Sequence, residues 1–411
     1  MATSNKRPPV AQIAAAAASA PASTAFPPHN LVLPVLVAAT SIGAIFCGFV
    51  GVAPNRLVSG QPIMLGDAAG TGFTAALAAC GAMLLAIGSV RQYRLLTYLA
   101  ATLAGSALVI VLAAAGHAAA VLSAGAPPAA RISLGPGFWI VLAGAALAFI
   151  DALQRAQVGA TIQLLAAVLA VTVFAALAAA GMFDALSLAR EFVTRREVFA
   201  AAVVRHIALV AAAVGPAILI GVPLGLAALR RKRFEQPLFA VLNLLQTIPS
   251  VALFGLLLVP LSALAKAVPS IASLGIGGVG PAPAIVALVL YALLPVARNT
   301  LAGVGGVSPA AIDAARGMGM TGGQIFRQVE APLALPVLIA GLRIVTVQAI
   351  GLAVVAALIG AGGLGTFVFD GLGQYATDLV LLGALPAILL ALAADFLMRL
   401  AAGALSRRYA G

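Results

Sequence analysis

The chain has 411 residues, of which 63% are hydrophobic and only 8% charged, with a formal net charge of +12. A soluble domain carries about a quarter charged residues, so the water-soluble globular class is excluded. The cations lie in short stretches between apolar runs rather than on one face, which excludes a nucleic-acid surface and reads as membrane orientation.

Repeated apolar runs of about twenty residues predict an all-α polytopic membrane protein of about ten transmembrane helices. The runs are continuous, which excludes the alternating pattern of a membrane barrel. Residues 1–30 are rich in Ala, Pro and Ser and read as a disordered cytoplasmic tail. Lys6-Arg7 before Ala11–Ala20 also has the outline of a signal peptide, but Gln12 interrupts its weak apolar part, which favours the tail.

A first set of spans is expected at 31–53, 72–90, 95–122, 135–151 and 158–180, forming an N-terminal region over 31–184. Cys47 and Cys80 fall inside these spans, and His29, His117 and His206 are scattered. Neither set has the spacing of a metal site or a disulfide framework, so no metal is expected. Asp151, at a span end, reads as an anchor.

Residues 185–206 carry Arg190, Glu191, Arg195, Arg196, Glu197 and Arg205 among Leu186, Phe192, Val193, Val198 and Phe199. That mixture predicts an amphipathic helix lying on the membrane surface and a domain boundary near 185. A second set of spans is expected at 207–229, 237–260, 282–302, 336–360 and 379–402. Alternation from a cytoplasmic N-terminus places Arg91, Arg94, Arg155, Arg230-Arg231-Lys232-Arg233 and Arg407-Arg408 inside. Arg56, Arg131, Lys266 and the 190–205 group fall outside, so both termini are expected in the cytoplasm.

In the seventh span, Asn243, Gln246, Thr247, Pro249 and Ser250 interrupt an apolar run, and Gln348 adds a polar group in the ninth. A helix breaker at membrane depth is tolerated beside protein or a water-filled path, so these residues are candidates for a substrate path. The same residue types also serve as polar contacts between helices, and the sequence leaves both readings open.

Between the eighth and ninth spans lies a polar island, Ser308 to Pro332, within a loop over 303–335. Ser308-Pro309 reads as a helix start, and Asp313 is placed to interact favourably with that helix's dipole. Ala314 and Ala315 are small enough for another surface to approach, and Gly317 and Gly319 end the helix. Thr321 and Gln324 have capping-box spacing, which starts a second short helix that Pro332 and Pro336 close. Two short helices joined at a Gly hinge are therefore expected.

Gly275-Ile-Gly-Gly-Val-Gly280 and Gly360-Ala-Gly-Gly-Leu-Gly365 match a dinucleotide fingerprint by letter, but the second follows a membrane-length run and both map outside. Gly362, Gly363 and Gly365 read instead as parts of external turns near a gate. Asp395 and Arg399, one helical turn apart, are expected to pair. The only lysines are Lys6, Lys232 and Lys266, and none stands in a P-loop, so no ATP site, catalytic residue or cofactor is expected in this chain.

The island resembles the signature loop of bacterial ABC importer permeases. That pattern is Glu-Ala-Ala, three residues, Gly, nine residues, then Ile-x-Leu-Pro. Here the positions hold Asp313-Ala314-Ala315, Gly319 and Val329-Glu330-Ala331-Pro332. Leu245-Gln-Thr-Ile-Pro-Ser250, Leu294-Pro-Val-Ala-Arg-Asn-Thr300, Ala314 to Thr321 and Ile359 to Gly365 are similar to permeases for glycine betaine, choline and related osmoprotectants.

The resemblance spans about 195–405. It implies a type I, MetI-like permease core over 207–405 in the bacterial inner membrane. It further implies docking of Asp313, Ala314, Ala315, Gly317, Gly319, Thr321, Val329 and Pro332 on a separate ATPase that binds ATP and Mg. The partners it implies are that ATPase, an extracytoplasmic solute-binding protein and a second permease, identical or shorter. The rival readings are an ion-coupled secondary transporter, which would use mid-span carboxylates or two related halves, and a non-transporting scaffold or sensor.

Overall fold

The structure is a computed structural model, and it describes residues 30–55, 58, 60–91, 93–273 and 275–409. The expected tail other than Asn30, together with His29 and Arg56, lies outside the described residues. The chain divides into two compact units, one of Met1–Pro54 with Gly60–Ala185 and one of Leu186–Gly411 with Asn55–Ser59. Among the described residues nine helices are long and apolar enough to cross a membrane, and a tenth, shorter apolar helix precedes them.

In the first unit that short helix is α1 (Val32–Phe46), followed by β1 (Val50–Ala53) and β2 (Gln61–Ile63). Helices α2 (Leu65–Ser89) and α3 (Arg94–Ala124), strand β3 (Arg131–Leu134), and helices α4 (Pro136–Arg155) and α5 (Ala160–Ala179) complete it. The expected span 31–53 is therefore corrected: the helix stops at Phe46. The β-branched alternation Val50-Gly51-Val52 then forms the centre of an antiparallel sheet ordered β2-β1-β3.

Val50 sits opposite both Ile63 and Leu134 in that sheet, and Phe49 and Phe138 meet edge to face beneath it at 5.8 Å. Among the described residues this small sheet is the one departure from an all-helical fold. Leu33, Val37, Leu84, Ala104 and Ala148 form the core between α1, α2, α3 and α4. Asp151 anchors a helix end, accepting from Arg155 Nε at 2.9 Å and from Asn30 Nδ2 at 2.7 Å. Cys47 and Cys80 are free thiols.

The second unit opens with α6 (Ser187–Thr194) and the 35-residue α7 (Arg196–Arg230). The expected surface helix over 185–206 is thus corrected to eight residues. Leu188 packs against the cluster of Ala202, Phe367, Leu379 and Leu382, and Phe192 meets Phe199 at 5.2 Å. Phe192 and Val193 keep an exposed apolar edge, while Ser187 and Glu191 are the buried residues of the helix. From Arg196 onward the polar residues belong to the first turns of α7 itself.

Next come α8 (Lys232–Thr247), α9 (Ser250–Ala267), α10 (Pro269–Ser273) and α11 (Pro281–Gly305). Beyond α12 (Pro309–Gly317) and α13 (Gly322–Ile325), a π-turn at Phe326–Glu330 leads into α14 (Ala331–Val355), which ends in a 3₁₀ turn at Ala356–Ile359. Helices α15 (Gly365–Gly373) and α16 (Thr377–Tyr409) close the chain.

Helix α7 packs along α11 through a ladder of small residues, Ala213, Ala217, Gly221, Gly225 and Ala228, spaced by three or four. A Cβ on Gly225 would lie 2.5 Å from the Ala297 carbonyl and 2.7 Å from Thr300 Cβ, so only glycine permits this approach. The expected span 237–260 is split. Pro249 disfavours the helical region for its predecessor, and Ile248 is extended at φ −70°, ψ 126°. The membrane-crossing segment consequently begins at Ser250 and runs to Ala267.

Candidate coupling elbow and transport path

The island folds as an elbow. Helix α12 starts with Pro309 in its first turn, while Ser308 supplies no side-chain cap. Asp313 pairs with Arg316 at 3.0 Å, and both side chains are more than two-thirds exposed. Such a pair contributes little to stability and leaves the carboxylate available to a partner. The turn closes by the Met320 N–H returning to the Ala315 carbonyl at 3.2 Å, with Gly319 in the left-handed region at φ 79°. Gly317 and Ala314 are exposed, but Ala315 is 1% exposed and faces inward, so it offers no surface to a docking partner.

Thr321 and Gln324 form the reciprocal capping box expected from their spacing. The Thr321 N–H donates to Gln324 Oε1 at 2.8 Å, and the Gln324 N–H donates to Thr321 Oγ1 at 3.4 Å. The helix that starts here is not closed by Pro332 and Pro336, which corrects the two-short-helix expectation. It runs on as one 38-residue rod from Gly322 to Ile359. Pro332 has no N–H to meet the Gln328 carbonyl in α-register. The chain widens into the π-turn instead, with the Ala331 N–H donating to the Phe326 carbonyl five residues back. Val329 and Pro332 are half-buried in this stretch.

The Arg230 guanidinium lies 5.4 Å over the Phe326 ring, so the end of α7 and the elbow share one face of the unit. Between them opens a cavity of about 950 Å³ lined by Arg230, Arg316, Thr321, Gln324, Arg327 and Glu330 among others.

At the opposite ends of these helices the two Gly-rich strings meet. The Gly280 N–H donates to the Ile359 carbonyl at 2.8 Å, and Arg205 Nε donates to the Ala361 carbonyl at 3.1 Å. Gly363, at φ 85°, lies directly on the buried His206, so a Cβ there would come within 3.3 Å of that side chain. Gly362 also has positive φ, and Gly365 starts α15 pressed against the Val354 carbonyl. These are tightly packed turns. Neither follows a strand, so the phosphate cradle of a dinucleotide site is not formed.

The polar residues of the broken helix separate by role. Gln246 Nε2 donates to the Tyr291 carbonyl at 2.8 Å, and the Tyr291 hydroxyl donates to the Ile248 carbonyl freed at the break. Thr247 Oγ1 donates to the Leu244 carbonyl at 2.7 Å, and Asn243 Oδ1 accepts from Arg298 at 3.1 Å. Gln236, Ala240, Asn243 and Thr247, spaced by three or four, make an exposed and mostly polar stripe of α8. Beside it Phe234, Pro237, Val241 and Leu244 make an exposed apolar stripe. Pro249 is exposed, Ser250 half-buried, and Gln348 exposed on α14.

Asp395 pairs with Arg399 at 3.0 Å, as its spacing predicts, and also with Arg343 of α14 at 3.4 Å. Tyr291 and Arg343 carried no local sequence signal, because their partners lie far away in the chain. Among the described residues no group of His, Cys, Asp and Glu could hold a metal.

Membrane-length helices, an exposed elbow on one face and a broken helix with a polar stripe define a helical transport subunit. The family described as "Binding-protein-dependent transport system inner membrane component" matches residues 217–410, and "ABC transporter permease YehY, N-terminal domain" matches 29–189.

The osmoprotectant import permease protein OsmW of Salmonella typhimurium is 44% identical over 182 residues, 44% of this chain and 79% of that protein. The glycine betaine/carnitine/choline transport system permease protein OpuCB of Bacillus subtilis is 39% identical over 181 residues, 44% of this chain and 75% of that one. An inward-facing structure of the MetNI methionine ABC transporter is similar with a TM-score of 0.44 and 22% identity, over 52% of this chain and 98% of that chain.

The chain belongs to the binding-protein-dependent ABC importer permeases, and it is a multi-pass membrane subunit rather than an enzyme. That membership sets aside the ion-coupled transporter and the non-transporting scaffold.

Proposed function

We propose that this permease imports a compatible solute of the quaternary ammonium class, such as glycine betaine, choline or carnitine. The observation that carries the substrate class is the 36–41% identity, over 44% of this chain, to permeases named for those solutes. The second unit is the permease core, the first an added membrane region, and both termini lie in the cytoplasm. A second permease copy or shorter relative completes the pathway, and an extracytoplasmic binding protein delivers the solute.

ATP and Mg bind to a separate ATPase subunit, which docks on the exposed elbow. Asp313, Ala314, Gly317, Gly319 and Thr321 supply the docking surface. Val329 and Pro332 carry the movement into the rod. The structural support is that the elbow's second arm is capped by Thr321 and continuous with a membrane helix, so force applied there enters a span directly. The path follows the stripe of Asn243 and Thr247 past Pro249, Ser250 and Gln348, while Gln246 braces the break. The turns at Gly362, Gly363 and Gly365 form the far gate.

The chain reconstituted with its candidate ATPase and binding protein tests this reading through solute uptake and solute-stimulated ATP hydrolysis. Gly319→Pro and Asp313→Arg should each uncouple hydrolysis from uptake, and Asn243→Ala should alter uptake with ATPase binding intact. Normal coupling in both elbow variants would sink the docking assignment. Uptake of none of the three solutes by the wild-type complex would sink the substrate class.

A further inference from the structure

The four consecutive cations Arg230-Arg231-Lys232-Arg233 form the corner between α7 and α8, and all four are exposed. Helix α7 ends at Arg230, Arg231 takes a non-helical φ −131°, ψ 84°, and α8 begins at Lys232. Asp151, Glu191, Asp313 and Asp395 pair with Arg155, Arg195, Arg316, Arg343 and Arg399. Glu235 in the first turn of α8 and Glu330 across the cavity from Arg230 are the acids nearest this corner, and among the described residues no ion pair holds its four cations. Arg231 and Arg233 stand 6.0 Å and 5.0 Å from the centre of the same Phe234 ring. From that ring the apolar stripe of α8 continues, with Phe234, Val241 and Leu244 exposed at 43%, 58% and 66%.

Cations gathered at the end of a membrane-length helix repel one another where water is scarce, and an anion placed among them relieves that repulsion. Orientation of the chain in the membrane requires basic residues at this end. It does not require two guanidiniums flanking a phenylalanine at the head of an exposed apolar stripe. That combination matches a phosphate joined to a hydrocarbon chain. A second copy of this chain carries the same excess of 23 Lys and Arg over 11 Asp and Glu, so charge complementarity does not favour it as the occupant.

We propose that this corner and stripe bind one anionic phospholipid. Its headgroup phosphate sits at Arg231 and Arg233, and an acyl chain lies along Phe234, Val241 and Leu244. Arg230 is turned towards Phe326 of the elbow, so the occupied site borders the coupling surface.

Native mass spectrometry of the detergent-purified full chain tests this, with phosphatidylglycerol and phosphatidylcholine of equal chain length as probes. Phosphatidylglycerol should be retained in preference. A juxtamembrane cation contributes about a fivefold factor in affinity, so Arg231→Gln/Arg233→Gln should weaken phosphatidylglycerol binding by about 25-fold. Arg91→Gln, which removes an exposed cation of the first unit, should change it by less than about twofold. Val241→Ser/Leu244→Ser should weaken binding with the cations intact.

Equal retention of the two lipids, or an equal loss in Arg91→Gln, would overturn the site. Complete displacement by millimolar inorganic phosphate would show a bare anion site and overturn the lipid assignment. If the stripe variant turned dimers into monomers without changing lipid retention, the stripe would be an interface between copies.

Discussion

The approach of α7 to α11 yields a prediction whose size follows from the geometry. In Gly225→Ala the new methyl would start 2.5 Å from the Ala297 carbonyl oxygen and 2.7 Å from Thr300 Cβ. Ordinary contact for a Cβ begins at 3.4 Å, so the shortfall against the carbonyl is 0.9 Å. Rotamer change cannot relieve it. Ala297 contributes backbone, and Thr300 is held by its hydroxyl donating to the Val296 carbonyl at 2.9 Å. The whole of α11 must retreat, which also loosens Gly221 against Val296.

Overpacking of this kind costs about 1–3 kcal/mol, and the advantage of Ala over Gly within a helix offsets up to about 1 kcal/mol. A net loss of up to about 3 kcal/mol lowers the melting temperature of a unit this size by up to about 12 °C. Gly351→Ala in α14 is the control, because a Cβ there meets nothing within 4 Å. It should melt at or slightly above wild type. Thermal melts of the purified chain in detergent read both variants. If Gly225→Ala melts no lower than Gly351→Ala, the close helix approach is not what the ladder provides.

Two further outcomes follow from the non-local contacts. Tyr291→Phe should leave the Ile248 carbonyl without its donor, at about 1–3 kcal/mol, with faster hydrogen exchange around 247–250; unchanged exchange there would mean the break is held by packing alone. Asp395→Asn should lower the melting temperature by an amount corresponding to about 1–3 kcal/mol, because Arg343 and Arg399 lose their shared carboxylate. Adding Arg343→Gln should restore part of that loss, and an additive further loss would refute the bridge between α14 and α16.

The features legible in the sequence are those set by neighbours in the chain. Thr321 and Gln324 are three apart and cap each other; Asp395 and Arg399 are four apart and pair. Pro249 breaks its helix because the steric rule concerns the preceding residue, although the rule says nothing about Tyr291, which satisfies the break from 43 residues away. The small-residue ladder of α7 was hidden by composition, since most helices of so Ala-rich a chain display small residues at every spacing. The strand Val50–Ala53 is too short for alternation to distinguish it from the end of an apolar run. Pro332 and Pro336 read as terminators because each lacks an N–H. A π-turn absorbs Pro332 without a stop, and Pro336 lies inside α14, which runs on past it.

That continuity sets the mechanical gearing of the second unit. At 1.5 Å per residue, 38 helical residues reach about 57 Å, more than the full thickness of a bilayer with its headgroups. The far tip of this beam is tied through Ile359 to Gly280, next to the turn that Arg205 clasps. A tilt of about five degrees imposed at the Thr321 end therefore sweeps the Ile359 end through about 5 Å. In the coupling proposed above, the elbow and the far gate would be geared together by one piece of backbone, with no chain of side chains needed to carry the signal between them.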